Sequence, residues 1–275
     1  MNRTMITATN TLAQLQKQMD IVSHNVANID TAGYKRREAN FTDLLFQQFN
    51  NQPNQAAEAG RLTPAGIRQG VGAKLAQSQM VMQQGSLKAT DRQLDLAFTK
   101  EGQYFRVLEQ TEDGSAVRFT RAGAFYLTPV SDNETMLVTA EGLPVLDENN
   151  NSIIINRQAN KFKVTESGSF LAEAANGNIQ EFNLGVVLIN KPQFLEQKGE
   201  NLLGLPEGID GEGIFSELNG ALRRQIGMVQ GSLEQSNVDL SKEMTELINL
   251  QRAYQFQSRS VSMADQMMGL VNGIR

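Results

Sequence analysis

The chain opens and closes on the same pattern of apolar positions. Met1, Met5, Ala8, Leu12, Leu15, Met19, Val22, Val26 and Ile29 recur at alternating intervals of four and three. Side chains spaced in this way line one stripe of an α-helix. The far end repeats the spacing with Leu247, Leu250, Tyr254, Gln257, Val261, Ala264, Met268 and Val271, where Gln257 is the one polar exception. Asp239 stands where an N-cap is wanted: its carboxylate can accept from the free N–H groups of a first turn, and its charge suits that end of the dipole. No proline follows it. The remaining faces carry Thr4, Asn10, Gln14, Gln18, Asn25 and Asn28 at one end and Glu246, Asn249, Gln255 and Gln266 at the other. Amides and hydroxyls suit a helix among helices, where neutral groups hydrogen-bond without the desolvation cost of charge. A solvated coiled coil favours Glu and Lys at its flanks. An antiparallel helical hairpin within a monomer is the competing reading of the same stripes.

Between the ends the period changes twice. From Tyr34 to Ala76 no helical or strand repeat holds: an apolar cluster (Phe41, Leu44, Leu45, Phe46, Phe49) gives way to a Gln/Asn/Ala-rich stretch and then to Pro64, Gly66, Gly70 and Gly72. Residues 34–76 read as an extended or irregular connector. Residues 77–236 read as β, with short runs rich in Val, Ile, Phe and Leu between turn residues. Leu94, Leu96 and Phe98, Val107, Val117 with Phe119, Phe125 with Leu127, Leu137–Thr139, Ile153–Ile155, Phe162–Thr165 and Leu184–Ile189 mark candidate strands. Asp113-Gly114 and Asn176-Gly177 are hairpin-type turn pairs. The expected fold is α+β. Terminal helices, 1–33 and 237–275, form a coiled-coil-like pair, and between them in sequence lies a central, irregular antiparallel β-domain.

Composition removes function classes rather than adding them. The 275 residues carry a net charge of −5, so bulk charge gives no reason to expect nucleic acid as partner. There is no cysteine for a disulfide or a thiolate, and His24 is the single histidine. The first thirty residues do not read as a secretory signal, and no apolar run approaches the roughly 20 residues of a membrane span. By these rules alone the chain reads as cytoplasmic. Membrane-surface binding by the first helix would want a basic face with bulky anchors, and neither is present. His24, inside the first helix, reads as a packed or surface histidine. Asp147, Asn149 and Asn151 imitate a calcium loop, but Ser152 stands where glycine is needed and Gln158 where a bidentate Glu is needed, so the stretch reads as a turn. Gly208, Gly211 and Gly213 are too loosely spaced for a dinucleotide fingerprint. Lys35, Arg36 and Arg37 read as a solvated turn after the first helix. No catalytic, cofactor-binding or metal-binding residue is expected, and the chain does not read as an enzyme.

The motifs at the two ends point to one family. Residues 25–35 read NVANIDTAGYK, and 233–240, 243–245, 251–255 and 264–267 read LEQSNVDL, EMT, QRAYQ and ADQM. These resemble the terminal signatures of bacterial flagellar rod and hook proteins. Asn25, Asn28, Thr31, Gly33, Tyr34, Ser236, Asn237, Val238, Asp239, Glu243, Met244, Gln251, Arg252, Ala253 and Tyr254 stand where the family motif wants them. His24 and Ser258 depart from its usual asparagines. QQGSL, LDLAF, FTRAGAF, VTAEG and GENLL in the middle follow the family in order, so the likeness spans nearly the whole chain, and it is nearest to the distal rod type. The resemblance implies a structural subunit of the basal-body rod in the cell envelope. It implies export through the flagellar type III apparatus, self-association into a helical tube with other rod proteins and the hook, and torque transmission. A hook subunit, a rod paralogue, or a ligand-binding β-domain with oligomerisation helices are the alternatives.

Overall fold

The computed structural model describes residues 2–43, 47–49, 67–69, 73–111, 114–175, 177–199, 201–206, 208, 211 and 213–273, and every number or absence given below refers to those residues. The apolar stripes form two long helices, α1 (Asn2–Ala27, 26 residues) and α2 (Leu240–Gly273, 34 residues). The first helix stops earlier than its stripe suggests. Past Ala27 the Thr31 N–H donates to the Asn28 carbonyl at 3.3 Å and the Thr31 hydroxyl to the Asn28 side-chain oxygen at 3.2 Å. Asn and Thr side chains offer the backbone such local alternatives to a helix. Gly33, at φ +74°, then turns the chain away. At the other end Asp239 is the residue immediately before α2.

The chain forms two compact units. One comprises Met1–Val26, Arg37–Gln79 and Leu240–Arg275; the other comprises Ala27–Arg36 and Met80–Asp239. The helical unit includes paired strands in the span expected as a connector. β1 (Arg37–Asp43) pairs with β4 (Ala73–Met80), and β2 (Gln47–Phe49) pairs antiparallel with β3 (Ile67–Gln69). The apolar cluster at Leu44, Leu45 and Phe46 and the Gln/Asn-rich stretch from Asn50 lie outside the described residues.

The second unit is antiparallel β throughout its described pairings. A six-stranded sheet holds the central hairpin, Gln103–Thr111 with Gly114–Thr120. Val186–Ile189 pairs on the hairpin's first strand, with Phe215–Glu217 beyond it. Leu202–Gly204 and Glu196–Gln197 extend the other side. Two three-stranded meanders, Phe125–Pro129 with Glu134–Thr139 and Ile154–Asn156, and Ala159–Val164 with Ser169–Ala174 and Ile179–Asn183, complete the layers. Both faces of the large sheet are covered, which is why Val186–Ile189 is apolar without alternation. Phe105, Val107 and Val186 point into the larger core with Phe98, Phe125, Leu137 and Phe170. Tyr104, Phe119, Val187 and Ile189 point the other way, into a second cluster with Leu195 and Leu203. The Phe105 ring meets Phe125 edge-on at 4.9 Å. Two short 3-10 turns, Pro192–Phe194 and Gly220–Gln225, interrupt the strands. The Asp147 stretch is a turn, its carboxylate taking the N–H groups of Asn149 and Asn151 at 2.8 Å each.

Candidate assembly site

The helical unit is thinly covered. On α1, Ala8 and Val22 are buried, while Met5, Leu12, Leu15, Met19 and Val26 are half-buried. Ile29 falls past the helix end and is also half-buried. On α2, Leu250 is buried, Leu247, Val261 and Met268 are half-buried, and Tyr254 is 37% exposed. Met1 and the Val271 side chain lie outside what is described. These α2 positions share one face, as the sequence spacing requires. A second apolar face lies across the same helix. Met244, Ile248, Phe256, Met263, Met267 and Leu270 are exposed, Phe256 at 71% and Leu270 at 69%. At about 3.6 residues per turn these side chains project away from the Leu250 stripe. A helix with two apolar faces needs more than one neighbour to cover it. Gln251, Arg252 and Ala253 of the family motif are exposed on α2. His24 is exposed on α1.

One buried polar group ties the helical unit together. Asn25 has no exposed surface. Its amide oxygen accepts from the Arg37 N–H at 2.9 Å, and its amide nitrogen donates to the Arg37 carbonyl at 2.9 Å and to Glu243 Oε2 at 3.0 Å. Glu243 is itself fully buried. The expectation that Asn25 belongs to the polar outer face of the helix is therefore corrected. Its position flanks the Val22–Val26 stripe closely enough to be drawn inside once β1 and α2 offer matching hydrogen-bond groups. Gln18 adds a partly exposed bond to Glu246 at 3.1 Å.

The β unit gathers the remaining motif residues into a second polar knot. Lys35 is buried, its ammonium 2.6 Å from Glu234 Oε1 and donating to the Gln83 carbonyl at 2.9 Å. The other Glu234 oxygen takes Arg121 Nε at 2.6 Å, and Oε1 also accepts from the Gly85 N–H at 3.1 Å. Arg121 donates to the carbonyls of Gln103 and Lys100 and lies over the Phe98 ring, 5.0 Å from its centroid. Burial pushes the Lys35 ammonium below its ordinary pKa, against the opposing pull of the Glu234 bond. The expectation of a solvated turn at Lys35–Arg37 is thus overturned for Lys35: one carboxylate shared between two cations, with carbonyls taking the remaining protons, makes its burial tolerable.

Backbone stitching surrounds this knot. The Arg36 N–H donates to Asn237 Oδ1 at 2.6 Å, and the Asn237 amide donates to the Val81 and Gln83 carbonyls at 2.9 Å each. The Val81 N–H donates to the Arg36 carbonyl at 2.8 Å, and the Gly33 N–H to the Glu234 carbonyl at 2.8 Å. A Cβ on Gly33 would stand 2.6 Å from the Ala122 nitrogen. Tyr34 and Val238 are buried beside these contacts, and the Val238 N–H donates to Ser236 Oγ at 3.3 Å. Sequence reasoning gave no site role to Lys35, Arg121 or Glu234. The available signal was a charge inside each of three tight motifs, TAGYK, FTRAG and LEQSN.

Comparison with known proteins places these features in a family. The chain is 46% identical over 279 residues to the flagellar hook-basal body complex protein FlhP of Bacillus subtilis, with 100% of both chains covered. The chain belongs to the flagellar rod and hook family. Its FlgG relatives include the basal-body rod protein of Borreliella burgdorferi, 31% identical over 100% of this chain and 99% of the relative. The FlgG of Bacillus subtilis is 31% identical, covering 98% and 97%. Three models of the rod and hook family match in order. Residues 5–35 match the flagella basal body rod protein, 99–172 the flagellar hook protein FlgE/F/G D1 domain, and 229–274 the flagellar basal body rod FlgEFG protein C-terminal. The first and last of these cover most of α1, all of α2, and Asn25, Lys35, Glu234 and Glu243, while Arg121 falls in the D1 match.

Proposed function

We propose that this rod and hook family member is a structural subunit that polymerises through α1 and α2 into the tubular basal-body shaft and passes torque to the hook. One contrast carries the reading. The β unit buries its apolar residues on both sides of its main sheet, whereas α2 leaves an apolar face of six large side chains in water. Copies of the chain and other rod proteins, stacked around a tube, supply neighbours on every side of each helix. The subunit works outside the cytoplasmic membrane, reaches its place through the type III export apparatus and has no enzymatic role. The 46% identity to FlhP, against 31% to the FlgG of the same organism, supports a rod paralogue of the FlhP kind beside the distal rod reading.

The test is substitution of the stripes. Leu12→Asp and Leu250→Asp are each expected to abolish motility and assembly of the shaft while the β unit keeps its fold, because a charge on a packed apolar seam is strongly unfavourable. Imaging of flagellar bases in each strain reads the outcome. Normal bases and swimming with both substitutions in place would show that assembly does not need the two stripes.

A further inference from the structure

The stripes of α1 and α2 repeat at three and four residues, from Met1 to Ile29 and, with Gln257 as the one polar member, from Leu247 to Val271. Such seams are degenerate. Sliding one helix past the other by one step of the repeat, about 5 Å, again sets apolar positions against apolar positions. Hydrophobic contact alone therefore cannot choose among registers, because it is non-directional. A polar pair inside the seam can choose, since only one register gives each member its partner.

We propose that Asn25 and Glu243 are the register pin of the terminal helices. Both side chains are fully buried. The Asn25 amide nitrogen reaches Glu243 Oε2 at 3.0 Å while both polar ends of the same amide are held by the Arg37 backbone at 2.9 Å. The Arg37 bonds fix the amide plane, so the Asn25 N–H that remains points in one direction. Glu243 lies in the first turn of α2, three residues from its start at Leu240. In that place the pin sets the axial position of α2 ahead of the repeating stripe that starts at Leu247. A slipped register breaks this buried bond, at the cost of an unmade hydrogen bond away from water. The half-exposed Gln18–Glu246 bond sets no register, because water replaces it when it breaks. The inference concerns pairing within one chain and holds or fails apart from the assembly reading.

The chain has no cysteine, so two labels can be placed cleanly. Ser23→Cys and Gln266→Cys put spin labels at exposed positions far apart along the antiparallel α1 and α2 of the full chain, so that an axial slip changes their separation by nearly its own length. Pulsed electron–electron distance measurement is expected to give one narrow distribution in this parent and in its Glu243→Gln variant, where the amide oxygen still accepts from Asn25. Glu243→Leu is expected to keep the helical circular dichroism signal but to split the distribution into populations about 5 Å apart. A single, unshifted distance in Glu243→Leu overturns the proposal. So does a broad distribution in the parent, or a Glu243→Gln variant that behaves like Glu243→Leu.

Discussion

Glu234 serves two cations, and its removal is not equivalent to removing either of them. Glu234→Ala strands Lys35 and Arg121 together in a buried site and is expected to cost about 3–5 kcal/mol. Lys35→Met leaves the 2.6 Å Arg121–Glu234 pair in place, so its cost is smaller, on the order of 1 kcal/mol. Urea unfolding of the β unit followed by circular dichroism ranks the two; equal losses would mean the carboxylate is not shared. The lowered pKa of Lys35 adds a pH signature. Below its ordinary value of 10.5 the unfolded chain holds the Lys35 proton more tightly than the folded one does. Stability from this group therefore rises with pH as 10.5 is approached, and Lys35→Met should flatten that rise. Gly33→Ala should cost about 1–2 kcal/mol through its positive φ, with a further loss from the Ala122 contact. These roles were not legible in the sequence. Lys35 and Glu234 are 199 residues apart, and a lysine followed by two arginines looks solvated until its partner is known.

The helices were the most legible elements, because a 3.6-residue period sustained over several turns fits little besides a helix. Among the stripe positions Val22 and Leu250 are the most enclosed, while Tyr254 is exposed. The exposed apolar face of α2 did not stand out, since Met244, Ile248, Phe256, Met263, Met267 and Leu270 keep no single interval and share their surface with Arg252 and Gln255. The strand pairing of β1 with β4 was also hidden: Arg37–Asp43 reads REANFTD, almost without alternation, and its partner lies some thirty residues on. The two faces of α2 can be separated by experiment. Phe256→Ser and Met267→Ser touch exposed side chains and should change monomer stability by no more than about 0.5 kcal/mol. The same variants should fail to build the shaft. Leu250→Ala, on the covered face, should instead lower the stability of the helical unit by about 2–5 kcal/mol. Denaturation midpoints paired with electron micrographs of flagellar bases distinguish the two classes, and a stability loss at Phe256 would show that face to be covered within the monomer.

At the scale of the whole molecule, the apolar material is unevenly divided between the two units. Strand runs such as Val186–Ile189 announced a β core, but that the main sheet is packed on both sides followed only from the pairing of segments distant in sequence. Limited proteolysis of the isolated subunit should accordingly trim α1 and α2 well before it cuts between Leu94 and Val238. Simultaneous loss of both would contradict the division. The stitching at Arg36, Val81 and Asn237 has a consequence for how such chains diversify. The strand leaving at Arg36 returns at Val81 one hydrogen bond away, and the segment that starts at Val81 comes back at Asn237 equally close. Each excursion is a loop closed at a common fastening, so neither its length nor its content alters the spacing of the ends that hold it. A longer excursion, or a wholly different module with adjacent ends, can thus be carried by the same fastening.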